Sequence, residues 1–152
     1  MIAAGIHLIF ICAFLYVARC FEKEGKNSMS EKVLIFDTTL RDGEQAAGAA
    51  MTAEEKLEIA RKLERLNVDI IEAGFPVNSE AELQAVKTIT REIRTPIICA
   101  LSHANANAVD KAWEALKEAR EPRIHVFLSS SDTHIMHQLR KNREEVMNMA
   151  VA

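Results

Sequence analysis

Four short apolar runs, each followed by a stretch with helical periodicity, most constrain what this chain can fold into. The runs are residues 33–36, 68–73, 96–101 and 124–128. They are too short for helices and suit parallel strands covered on both faces. Between them the helix signals are specific. Thr52-Ala53-Glu54-Glu55 is a capping box, and Leu57, Ala60 and Leu63, flanked by Ile59 and Leu66, make an inward face to about Leu66. Lys56, Glu58, Arg61, Lys62, Glu64 and Arg65 are assigned to its solvated side, and Asn67 to the exit turn. Ser79 opens a second helix with Leu83, Val86, Ile89 and Ile93 buried, and Pro96 ends it. Asn105 or Asn107 opens a third, with Val109, Ala112, Leu116 and Ala119 inward and Trp113 at its rim. Residues 142–152 read as the start of a fourth, stopping without a cap as a truncated chain would. No hairpin signal or internal repeat interrupts the alternation, so the expected class is α/β with a parallel sheet.

In such folds the chemistry sits where strands end. The first run turns abruptly polar and brings Asp37, Arg41, Asp42, Glu44 and Gln45 within nine positions. The adjacent Arg41-Asp42 offers a hard oxygen ligand for a divalent cation beside a permanent cation for an oxyanion. The ordinary alternative is a solvated loop with a surface ion pair. Glu72 closes the second run, where a carboxylate is costly unless paired, and Arg41 is its most available partner. Ser102 and His103 follow the third run. His125 lies inside the fourth, where a histidine is ordinarily a hydrogen-bonded core residue. His134 and His137 are three apart but lack a carboxylate in phase, so no metal site is expected from them.

Leu40-Arg41-Asp42-Gly43-Glu44-Gln45, then ten residues, then Lys56 resembles the first signature of the isopropylmalate/homocitrate synthase family. The likeness continues through Asp69-Ile70-Ile71-Glu72-Ala73-Gly74-Phe75-Pro76, Ile98-Cys99-Ala100-Leu101 and Arg123-Ile124-His125-Val126-Phe127. It then takes in His134, Leu139-Arg140 and Glu145-Val146. These are metal-dependent acyl-CoA condensing enzymes on a (β/α)8 TIM barrel, related to the lyases that cleave hydroxymethylglutaryl-CoA. Such a barrel typically needs ~250 residues. The resemblance therefore implies that residues 29–152 hold its first half, from the first strand to the fourth helix. Half a barrel would leave the edges of its first and fourth strands unpaired, and the inward faces of Val33, Ile35, Ile97 and Val126 or their neighbours without an opposite wall. It implies a Claisen-type condensation of acetyl-CoA with 3-methyl-2-oxobutanoate to 2-isopropylmalate, on the route to leucine. Arg41 and Glu72 would be catalytic, Asp42 a ligand of Mg²⁺ or Mn²⁺, and Gln45, His103 and His125 would join Arg41 in binding substrate. His103 stands where family members often carry an arginine, replacing a fixed cation with a group mostly neutral at pH 7. The family completes its metal site with a His-x-His pair from the second half, and none occurs in this sequence. Homocitrate synthase, citramalate synthase and lyase activities fit the same motifs, and a non-catalytic half-barrel needing a partner chain is the reading from another class. A homodimer is expected of the complete enzyme.

Residues 1–28 are of another kind. The seventeen positions 2–18 carry no formal charge, at the short edge of the ~20 residues that span a membrane. No basic residue precedes them; Arg19, Lys23 and Lys26 follow and would keep the rest on the cytoplasmic side. Met29, four residues before the first strand, is where such a domain would begin. Residues 1–28 therefore read as a hydrophobic helical extension, either an appendage or an anchor. The net charge of −3, without a basic stripe, argues against nucleic acid as a partner. Three cysteines without metal-ligand spacing point to a reducing compartment, and hence to the cytoplasm.

Overall fold

Capping chemistry sets the helix starts. In the computed structural model, which describes residues 7–8, 17–19 and 32–151, the Thr52 hydroxyl accepts the Glu55 N–H at 3.2 Å and the Glu55 carboxylate accepts the Thr52 N–H at 2.8 Å. This closed box starts helix α1, Ala53–Arg65. Ser79 and Asn105 cap α2, Glu80–Glu92, and α3, Ala106–Leu116, each by accepting one first-turn N–H. Asn67 makes the exit from α1 at φ +57°, a conformation asparagine tolerates better than most residues. Helix α4 is Arg143–Val151, preceded by a π-helical turn at His134–Leu139.

The strands are β1 His7–Leu8, β2 Val17–Arg19, β3 Val33–Asp37, β4 Ile70–Glu72, β5 Ile97–His103 and β6 Pro122–Phe127. They form one sheet in the order β1-β6-β5-β4-β3-β2. The ladder from β3 to β6 is parallel throughout, with a helix crossing back between successive strands, as expected. These are four of the eight units of a (β/α)8 barrel. The register pairs Phe36 with Ile70 and Ile70 with Ile97, and then Glu72 with Cys99 and Cys99 with Arg123. Since side chains alternate along a strand, Leu34, Phe36, Ile70, Glu72, Ile97, Cys99, His103, His125 and Phe127 share one face. The other face carries Ile71, Ile98 and Ala100, which pack with Leu63, Leu83, Val86, Ile89, Ala112 and Leu116 of the helices into the main core.

Four expectations need correction. Val33 and Ile35 do not share the inner face with Ile97; they lie on the helix side, 53 % and 44 % exposed, and Val126 is buried on that side too. Lys56 is not on a solvated face: it is 1 % exposed. The edges of β3 and β6 are not bare, because β2 pairs antiparallel with β3 and β1 parallel with β6. A helix was expected within residues 1–28, but the positions described there, 7–8 and 17–19, are strand. The remainder of that segment lies outside the described residues. Among the described residues no helix is long and apolar enough to cross a membrane.

Candidate active site

The turn after β3 is built by its own polar groups. The Asp37 carboxylate accepts the Thr39 N–H at 3.0 Å and its hydroxyl at 3.2 Å. The Thr38 carbonyl then gathers the N–H groups of Arg41, Asp42 and Gly43 at 3.1, 2.8 and 3.3 Å. This tight winding leads into the 3₁₀ turn Gly43–Gln45 and aims Arg41 at the neighbouring strand.

There it meets Glu72, whose side chain is fully buried at the carboxyl end of β4. Arg41 Nε donates to Glu72 Oε2 at 3.0 Å, and Arg41 Nη1 donates to Asp42 Oδ1 at 2.9 Å. On the far side, His125 Nδ1 lies 2.6 Å from Glu72 Oε1. An ionised carboxylate only accepts, so this contact places a proton on Nδ1 and, in the neutral ring, leaves Nε2 as an acceptor. Glu72 is thus the hub, drawing a residue from β6 and one from the β3 turn onto β4. Two carboxylates share the one guanidinium. Asp42 is the outward member, its side chain 44 % exposed. The site floor is apolar: burial, reinforced by the Glu72 charge, pushes the Cys99 thiol well above its ordinary range.

His103 sits one layer above, on the same face. Its ring packs on Phe127 at 4.5 Å and edge-on to Phe75 at 4.9 Å, while Phe36 meets His125 at 5.9 Å. Gln45 ends the 3₁₀ turn, exposed, with its N–H on the Asp42 carbonyl at 3.1 Å. The structure therefore joins Arg41, Asp42, Glu72 and His125 directly, and sets His103 and Gln45 at the periphery.

The model of the HMGL-like family matches residues 32–152. The chain belongs to that family. Among its relatives, the 2-isopropylmalate synthase of Syntrophus aciditrophicus (strain SB) is 54 % identical over 126 residues, covering 83 % of this chain and 24 % of that protein. That of Pyrococcus furiosus is 56 % identical over 123 residues, covering 81 % of this chain and 25 % of that one. The 2-isopropylmalate synthase B of Solanum pennellii is 51 % identical over 126 residues, covering 78 % and 21 %. The chain spans about a quarter of the length of these curated relatives.

Two features of this HMGL-like site were missed in the sequence. One is the ring stack of Phe75, His103 and Phe127, residues from three different strand ends with no local signal. The other is buried Lys56 with its partly buried partners Glu44 and Glu82. Its signal was present, because Glu44 and Lys56 both fall within the signature run that begins at Leu40.

Proposed function

We propose that this chain supplies the first four strand-helix units of an acyltransferase of the 2-isopropylmalate synthase kind, condensing acetyl-CoA with 3-methyl-2-oxobutanoate. The observation that carries the reading is Arg41 clamped between exposed Asp42 and buried Glu72 across adjacent strand mouths, in a chain at least half identical to such synthases.

Arg41 is held on one side by Glu72, which fixes its planar fork without using all five of its donors. The remaining donors would stabilise charge developing on a ketone or enolate oxygen. His125 is oriented at the mouth by the same carboxylate. The Phe75 and Phe127 rings beside His103 give the mouth an apolar wall suited to a branched aliphatic side chain. The half-exposed Asp42 oxygens suit a hard divalent cation. Among the described residues no group of three or more His, Cys, Asp or Glu side chains converges to hold one, so Asp42 would be a single ligand. When bound, Mg²⁺ or Mn²⁺ supplies Lewis-acid polarisation of the 2-oxo acid.

The test is CoA release from acetyl-CoA with 3-methyl-2-oxobutanoate in the full-length protein, alongside 2-oxoglutarate and pyruvate. Arg41→Lys should lower kcat ~10²–10³-fold, the usual cost of one preorganised donor, with little change in Mn²⁺ affinity. Asp42→Asn should weaken Mn²⁺ binding measured by electron paramagnetic resonance. Turnover with none of the three 2-oxo acids, or Mn²⁺ affinity indifferent to Asp42→Asn, removes the corresponding half of the proposal.

A further inference from the structure

Lys56 lies in the first turn of α1, yet its ammonium is buried between two carboxylates, Glu44 Oε2 at 2.7 Å and Glu82 Oε2 at 2.6 Å. Each carboxylate uses its other oxygen on a loop. Glu44 Oε1 accepts the Met51 N–H at 3.1 Å, and Glu82 Oε1 accepts the Phe75 N–H at 3.0 Å. Glu44 stands two residues after Asp42, within the turn that carries the Arg41 fork. Phe75 stands three residues after Glu72, in the loop that leaves β4. One buried cation therefore ties together the two loops whose side chains form the Arg41–Glu72 contact.

The second loop is shaped around this cluster. A Cβ at Gly74 would lie 2.1 Å from Glu82 Oε1 and 2.9 Å from Val86 Cγ2. The backbone can pass only because residue 74 has no side chain and the carboxylate is held in place by Lys56. Glu82 also departs from its local pattern. It sits three residues after the Ser79 cap, where a glutamate commonly turns back to the cap N–H. Here its carboxylate goes instead to Lys56 and Phe75.

We propose that Lys56 is a positioning residue for the site: by bridging Glu44 and Glu82 it locks the β3 turn to the β4 loop and so holds Arg41 in register with Glu72. It touches neither Arg41 nor Glu72 in the contacts above and acts through the loops. The proposal rests on the acyltransferase reading only for its activity arm.

The experiment uses the full-length protein labelled with 15N-arginine and 15N-alanine, comparing wild type with Lys56→Met. Hydrogen exchange at Arg41 Nε–H, assigned by its loss in Arg41→Lys, should accelerate by about tenfold or more as the loops open locally. Exchange at the Ala112 amide in α3 should stay unchanged. In the assay kcat should fall more than KM rises, since Arg41 acts in the transition state. Unchanged Arg41 exchange overturns the proposal. So does equal deprotection of Arg41 and Ala112, because Lys56 would then serve only global stability. Should Lys56→Met fail to fold, Glu44→Gln keeps the shape and the Met51 acceptor but weakens the pull on the ammonium. It should deprotect Arg41 selectively, and its failure to do so counts against the proposal equally. A wild-type protein with no turnover removes the acyltransferase reading, and the exchange comparison still decides the role of Lys56.

Discussion

Two arginines in this protein meet a glutamate in nearly the same way. Arg41 Nε lies 3.0 Å from Glu72 Oε2, and Arg91 Nε lies 3.0 Å from Glu118 Oε2. The second pair is the better formed, since Arg91 Nη2 adds a second bond at 2.9 Å. Yet the first pair has a fully buried carboxylate, while the second lies open between α2 and the end of α3, its side chains 56 % and 46 % exposed. Distance alone does not rank them. Removing water from Glu72 makes any loss of its partners expensive, whereas water substitutes for either partner of the exposed pair.

The largest effect should come from breaking the buried pair. Glu72→Ala strips both Arg41 and His125 of their shared acceptor and leaves a void in the layer above Ile70. Removing one partner of a buried pair typically costs ~3–5 kcal/mol. The value here should fall toward the low end, because Arg41 keeps Asp42. Urea unfolding of wild type and variant measures it. A loss no larger than the roughly 0–1 kcal/mol of exposed pairs would erase the distinction between the two regions.

Next in size is Gly74→Ala. Its methyl group would press on Glu82 Oε1, which cannot swing away without breaking bonds to Lys56 and the Phe75 N–H. Overpacking of this kind costs about 1–3 kcal/mol. The double variant with Glu82→Ala should cost less than the sum of the two single changes. Additivity in that cycle would show that the methyl group is accommodated elsewhere.

How much of this was legible in the sequence follows from how local each feature is. The caps at Thr52, Ser79 and Asn105, and the stripe Leu83, Val86, Ile89 and Ile93, depend on near neighbours and could be read directly. The Arg41–Glu72 contact was readable for a different reason: a carboxylate ending an apolar strand demands a cation, and few were near. Lys56 was misplaced because helical periodicity counts any lysine as surface. Its burial depends on two glutamates, one from the preceding turn and one from α2. The facing of Val33 and Ile35 was misread because a continuous apolar run carries no alternation to set its phase. The phase comes from long-range pairing: Ile35 and Asp69 bond each other's N–H, at 2.8 Å through the Asp69 carboxylate and 3.2 Å through the Ile35 carbonyl.

A smaller effect probes the floor of the site. Burial and the nearby Glu72 charge hold the Cys99 thiol protonated well above its ordinary value of 9.0. Since the thiolate is the nucleophile, iodoacetamide at pH 8 should modify Cys99 at least about tenfold more slowly in the folded protein than in urea. Peptide mapping distinguishes it from Cys12 and Cys20. Equal rates in the two states would mean that the layer around Glu72 is wet.

The smallest effect belongs to the exposed pair, and pH gives its sign. The hydrogen bond from Arg91, with lesser help from its charge, holds the Glu118 carboxyl below its ordinary value of 4.5. A carboxyl with a lowered folded-state pKa stabilises the fold fully above its unfolded value and loses that contribution as pH falls through the folded one. Glu58 and Glu114 behave alike, through Lys62 and through Lys87 with Lys111. Glu118→Gln should therefore leave the thermal midpoint at pH 7 almost unmoved and slightly flatten its fall below about pH 4.5. In wild type, added salt should erode this small contribution, because the pair lies within reach of mobile ions. It should leave the cost of Glu72→Ala nearly untouched. Calorimetry on both variants at low and high salt makes the comparison. Equal salt sensitivity would mean that solvent reaches Glu72 as freely as Glu118, and Glu72 would then not be the enclosed partner that holds Arg41 and His125 together.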